Sequence, residues 1–157
     1  MTKKEDIMNT ALYAGSFDPF TNGHLDILEQ ACQIFDRVII AVANNSDKNG
    51  FLPVEKRLEI IQKSINKFNN VEIDSYQGLT IEYAKEHGIE ILVRGARNAQ
   101  DFEYELQISN TNLTLAPQMK TILLTPKPEN FFISSTIVRE IYKNGGDISK
   151  LVPYVWN

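Results

Sequence analysis

Apolar residues along the chain gather into two alternating kinds of run. Short, nearly continuous stretches recur at 10–14 (TALYA), 37–43 (RVIIAVA), 71–76 (VEIDSY), 90–94 (EILVR) and 120–125 (KTILLT). Their length and continuity are those of strands buried on both faces of a sheet. Between them the spacing widens to a helical period. Leu25, Leu28, Cys32 and Phe35 share one helical face, Leu58, Ile61, Ile65 and Phe68 another, and Ile81 with Ala84 begins a third. Pro53 and Glu55 suit a first helical turn, where a fixed φ is tolerated and an acid complements the dipole. Gly88 supplies a helix stop after His87, and Asn144-Gly145-Gly146 sets off a last helical segment.

Strands alternating with helices predict an α/β fold, a Rossmann-like, doubly wound parallel sheet of five strands with helices on both faces. No repeat, low-complexity tract or long linker divides the 157 residues. The expectation is one domain over 1–157, with 1–9 as an N-terminal extension and 147–157 as a C-terminal helical segment. Ligands of such sheets bind at the carboxyl ends of the strands, so the residues there carry the functional question.

Composition narrows the classes. Hydrophobic residues at 43% and charged residues at 23% exclude a disordered chain. A net charge of −4 argues against a general nucleic-acid or anionic-membrane surface, since both need a positive field. The longest strongly apolar run, VIIAVA at 38–43, is too short to span a bilayer. Cys32 stands alone and cannot form an intramolecular disulfide, which points to a reducing compartment and a cytoplasmic protein.

Three segments fall at predicted strand ends and suit phosphate. The first is GSFDPFTNGH at 15–24. Gly15 permits a sharp turn, Ser16 and Asp18 offer short polar groups, and His24 enters a helix start, where free N–H groups and the dipole favour an anion. With Phe17 and Phe20 at the second and third glycine positions, the stretch is not the dinucleotide fingerprint G-x-G-x-x-G. The second is VRGAR, where Arg94 and Arg97 flank a glycine in a pattern that suits bidentate phosphate binding, or surface ion pairs to the acids of DFEYE at 101–105. The third is FFISSTIVREI, where Ser134, Ser135 and Thr136 open a helix as an anion site or as ordinary caps.

Together GSFDPFTNGH, RGARNAQDFEYE and FISST resemble the phosphopantetheine adenylyltransferase family of the nucleotidyltransferase superfamily, which carries a T/HxGH signature. The likeness runs from about Leu12 to about Pro153. It implies transfer of AMP from ATP to 4′-phosphopantetheine with Mg2+ present, giving dephospho-coenzyme A and pyrophosphate without a covalent enzyme intermediate. Carried over by position, His24 resembles the transition-state stabiliser, and Ser16 a phosphate contact at a position that is Thr in many relatives. Lys48 resembles the lysine that binds the acceptor phosphate, assisted by Arg94, and Thr80 a pantetheine contact. ATP contacts are implied at Ser16, Phe17, His24, Gly95, Ala96, Arg97 and Glu105, and along Asn130, Phe131, Phe132, Ile133, Ser134, Ser135 and Thr136. His24, Lys48, Arg97 and Ser16 form the implied catalytic set. Relatives assemble as homohexamers, and coenzyme A is an implied feedback ligand.

Two alternatives stay open on sequence alone. Superfamily members acting on nicotinate mononucleotide or glycerol phosphate usually carry HxGH, whereas Thr21 stands first here. A non-catalytic nucleotide sensor would not require His24.

Overall fold

The computed structural model describes residues 8–45 and 50–157. Its five strands are β1 (Thr10–Gly15), β2 (Arg37–Ala43), β3 (Val71–Tyr76), β4 (Ile91–Gly95) and β5 (Lys120–Leu124). They alternate with α1 (Asn22–Ile34), α2 (Val54–Ser64), α3 (Thr80–Glu86) and α4 (Ala99–Leu115), and α5 (Ser135–Lys143) follows β5 after a single 3-10 turn at Pro128–Asn130. The strands are parallel in the order β3-β2-β1-β4-β5. The chain therefore winds outward from β1 to β3, then returns to lay β4 on the other side of β1. The expected doubly wound sheet is present.

The reversal opens a crevice. Pairing between β1 and β4 ends at Tyr13 opposite Val93, while Ala14 and Gly15 continue to pair with β2 alone and Arg94 and Gly95 with β5 alone. The two central strands thus part at their carboxyl ends, as a topological switch point requires.

Alternate strand residues feed two cores. On one face Ala11, Tyr13, Val38, Ile40, Val42 and Val93 meet Ile27, Leu28 and Ala31 of α1, Ile60 and Ile61 of α2, and Val138 of α5. On the other, Leu12, Ala14, Ile39, Ala41 and Leu92 meet Tyr83 and Ala84 of α3 and Ala116 and Met119 beyond α4. Cys32 is half-buried beside the first core, where burial pushes its thiol up to about 11.

The expected helix at 147–157 is absent: the segment makes only turns. Pro153 lacks the N–H that a helix would use and disfavours helical backbone at Val152. The segment is instead fixed by tertiary contacts. Ile148, Val152 and Trp156 are buried in the first core, and Asn22 takes the Leu151 carbonyl with its N–H and the Lys150 carbonyl with its side-chain amide, both at 2.9 Å.

Candidate active site

The β1–α1 corner is built around an aromatic side chain. Phe17 has φ 46°, an uncommon left-handed value for a bulky residue, and its ring packs edge-on to Tyr13, Phe20 and His24 at 5.1, 5.7 and 5.1 Å between centroids. A Cβ on Gly15 would stand 3.2 Å from that ring, so glycine there leaves the ring its place. Thr21 then caps α1 reciprocally: its Oγ1 accepts the His24 N–H at 3.3 Å, and its own N–H donates to His24 Nδ1 at 3.0 Å. His24 occupies the place that Glu or Gln takes in the usual capping box.

That bond fixes the ring chemistry. With Nδ1 accepting, the neutral imidazole carries its proton on Nε2, at the end of the ring away from Thr21. Burial, followed by the positive charges of Arg94 and Arg97, lowers the His24 pKa to about 4. Near neutrality the residue is an uncharged hydrogen-bond donor and a weak base.

Both arginines are held by acids from α4. Arg94 forks onto Glu105, Nε to Oε2 at 2.9 Å and Nη2 to Oε1 at 2.8 Å, and closes the β1–β4 gap by donating from Nη1 to the Ala14 carbonyl at 2.6 Å. Arg97 forks onto Asp101 at 2.8 and 3.2 Å and reaches the Ile133 carbonyl at 3.1 Å. Arg97 also holds the Asp101 carboxyl below its usual range. Of the two alternatives in the sequence, the acid pairing is present, and both paired guanidiniums also line the cleft.

The cleft has a volume of about 320 Å3 and is walled by Ser16, Phe17, His24, Arg94, Gly95, Ala96, Arg97, Glu105, Ile133, Ser134 and Ser135, among others. Residues from three remote segments thus share one hollow at the switch point.

The Cytidylyltransferase-like family model matches residues 12–141. Phosphopantetheine adenylyltransferase of Nautilia profundicola is 46% identical, with 91% of this chain and 93% of the relative covered. The enzyme of that name from Gloeothece citriformis is 50% identical, with 91% of each covered. The chain belongs to the phosphopantetheine adenylyltransferase family. It is a nucleotidyltransferase. A solved structure from Vibrio parahaemolyticus, assigned as a nicotinate-nucleotide adenylyltransferase, superposes with a TM-score of 0.70 over 93% of this chain and 94% of that one. At 18% identity it is a likeness of fold alone.

Other positions implied by the adenylyltransferase resemblance distribute unevenly. Lys48 lies outside the described residues. Thr80 does not line the cleft; it begins α3, and its hydroxyl is 2.7 Å from that of Tyr76. Glu105, implied as an ATP contact, has both carboxylate oxygens on Arg94. Asn130 donates to Asp26 at 3.1 Å, and Phe131, Phe132 and Thr136 are exposed outside the cleft wall. Ser134 caps α5 by accepting the Ile137 N–H, and the Ser135 hydroxyl donates to the Pro19 carbonyl at 2.8 Å.

Four side chains escaped the sequence reading. Asp26, buried on α1, accepts from Lys127 N–H at 2.6 Å, Asn130 and Gln30 and so ties α1 to the loop before α5. Burial alone would raise its carboxyl, but these bonds hold it below the ordinary range. Arg139 donates to the Asp18 carbonyl at 2.7 Å and to Thr136 Oγ1 at 3.0 Å. With Arg57 and Lys143 it lines a second hollow of about 600 Å3 that shares Ser16 with the first. An arginine one turn after Ser135 and Thr136 was a usable signal; Asp26 and Arg57 belong to no motif.

Proposed function

We propose that the protein transfers the adenylyl group of ATP to 4′-phosphopantetheine, yielding dephospho-coenzyme A and pyrophosphate. The carrying observation is His24 Nε2–H, a neutral donor held by Thr21 in one cleft with two acid-paired guanidiniums. An oxygen of the acceptor phosphate attacks the α-phosphorus in line, the bond to the bridging oxygen of pyrophosphate breaks, and no covalent enzyme intermediate forms. The acceptor phosphate is anionic at neutral pH and needs alignment and charge stabilisation more than activation. His24, too weak a base to take a proton near pH 7, donates to the α-phosphoryl oxygens. Arg94 and Arg97 stabilise the phosphates, Ser16 adds a hydroxyl, and Lys48 binds the acceptor phosphate with Arg94. Arg139 and Lys143, in no ion pair among the described residues, offer positive charge to the departing pyrophosphate across Ser16.

ATP enters as its Mg2+ complex. Among the described residues no group of three or more His, Cys, Asp or Glu is arranged for a metal, and the cleft acids are committed to arginines. This favours a metal ion carried by the phosphates of the substrate. The exposed apolar side chains of α4, Phe102, Tyr104, Leu106, Leu113 and Leu115, support self-association, for which we propose the homohexamer of the family. Coenzyme A, the product bearing one more phosphate, is proposed as a competing ligand. No helix among the described residues is long and apolar enough to cross a membrane, and the hindered single thiol suits the reducing cytoplasm we propose.

Pyrophosphate release from ATP, measured with 4′-phosphopantetheine, nicotinate mononucleotide and glycerol phosphate offered separately, tests the reading. Release with the first alone is expected. Turnover with either of the others and none with the first would replace the acceptor.

A further inference from the structure

Arg57 is a buried cation, 6% exposed, with no carboxylate partner among the described residues. Its guanidinium donates to three main-chain carbonyls instead: Nε to Leu52 at 3.1 Å, and Nη1 to Ser16 at 2.8 Å and Ala43 at 3.3 Å. Asp18, in the wall of the same hollow, directs its carboxylate to the N–H groups of Phe51 and Leu52 at 2.7 and 2.8 Å. Burying a guanidinium with carbonyls as its only hydrogen-bond partners among the described residues carries a desolvation cost that an apolar side chain would not incur. The choice of arginine calls for a task beyond filling space.

The Ser16 carbonyl indicates that task. The Ser16–Phe17 peptide is trans, so its C=O and N–H point in opposite directions. With the oxygen fixed on Arg57, the Phe17 N–H is turned to the other side of the peptide. Ser16 and Phe17 line the His24 cleft, whereas Arg57 lines only the second hollow. The Phe17 N–H has no acceptor among the described residues. A guanidinium on the carbonyl also polarises the peptide and strengthens its N–H as a donor. The left-handed φ of Phe17 is a conformation the chain would tend to leave if the clamp were removed.

We infer that Arg57 is a positioning residue for adenylyl transfer: by fixing the Ser16 carbonyl it aims the Phe17 N–H, alongside His24 Nε2–H, at the phosphate under attack. This rests on the function proposed above. Lysine keeps the charge but donates from one point and cannot span three carbonyls, so Arg57→Lys is the informative variant, with Arg57→Gln as the harsher one.

The experiment measures binding of a non-cleavable ATP analogue without acceptor, the Phe17 amide resonance in 15N-labelled protein, acceptor KM and thermal unfolding. In the wild type the Phe17 amide should move on analogue binding. In Arg57→Lys that movement should shrink and analogue affinity should fall about tenfold per folded molecule, the scale of one misaligned hydrogen bond, with acceptor KM nearly unchanged. Unaltered analogue affinity in Arg57→Lys, or a loss confined to the acceptor, overturns the inference. So does a wild-type Phe17 amide that ignores the analogue, a result that holds even if both variants fail to fold. A wild-type protein that does not bind the analogue at all refutes the adenylyltransferase reading beneath it.

Discussion

Helix α1 buries Ile27, Leu28 and Ala31 on the sheet and presents His24 through a capping box, whereas α4, with 17 residues, buries only Glu105 and enters the same cleft through two ion pairs. The first half of the site is placed by apolar packing, which is non-directional and not subject to charge screening, with the capping box setting the His24 ring. The second is placed by charge, which is directional and partly screened. Arg94 and Arg97 bring positive charge to the cleft, and α4 supplies the acids that hold both guanidiniums in place.

The contrast can be broken from the α1 side with the largest effects. Leu28→Ala should lose about 3–5 kcal/mol of stability by urea denaturation, because a fully buried leucine leaves a cavity behind. His24→Ala should lower kcat by roughly 10²–10³, about 2.7–4 kcal/mol of barrier, with ATP affinity nearly intact. Unchanged turnover would remove His24 from the chemistry.

From the α4 side the effects should be smaller and salt-dependent. Glu105→Gln leaves Arg94 with a weaker partner and should cost about 2 kcal/mol of stability, discounted because Arg94 is partly exposed, together with a raised acceptor KM. Asp101→Asn should cost under about 1 kcal/mol, but should raise the ATP KM severalfold at low salt and less at high salt. Salt-independent losses in both variants would show that α4 acts by packing after all.

The gentlest probe is pH. The folded His24 pKa of about 4 lies below its ordinary 6.5, so between those values the unfolded chain binds more protons. Stability should therefore fall as pH drops from about 6.5 towards 4, and His24→Gln should flatten that part of the curve. An unchanged slope would assign the titration to another group.

The contrast also explains what was legible. The apolar runs at 10–14 and 37–43 and the stripe through Leu28 announced strands and α1, because burial imposes a period on sequence. The long α4 gave no such stripe, so its contribution showed only as a charge pattern, DFEYE, equally readable as a solvated face. Arg57 and Asp26 gave no sign at all, since their partners are carbonyls and amides from distant loops.

The order of strands and helices, the glycine at the β1–α1 corner and the set of phosphate-suited segments were determined by the sequence, through residue size, backbone freedom and hydrophobic period. Tertiary structure alone decided that Nδ1 of His24 is occupied, that the acids of α4 aim Arg94 and Arg97, and that the last eleven residues turn where they were expected to be helical. Those outcomes depend on hydrogen-bond partners far apart in the chain, and local patterns carry no record of which distant atom a donor will meet.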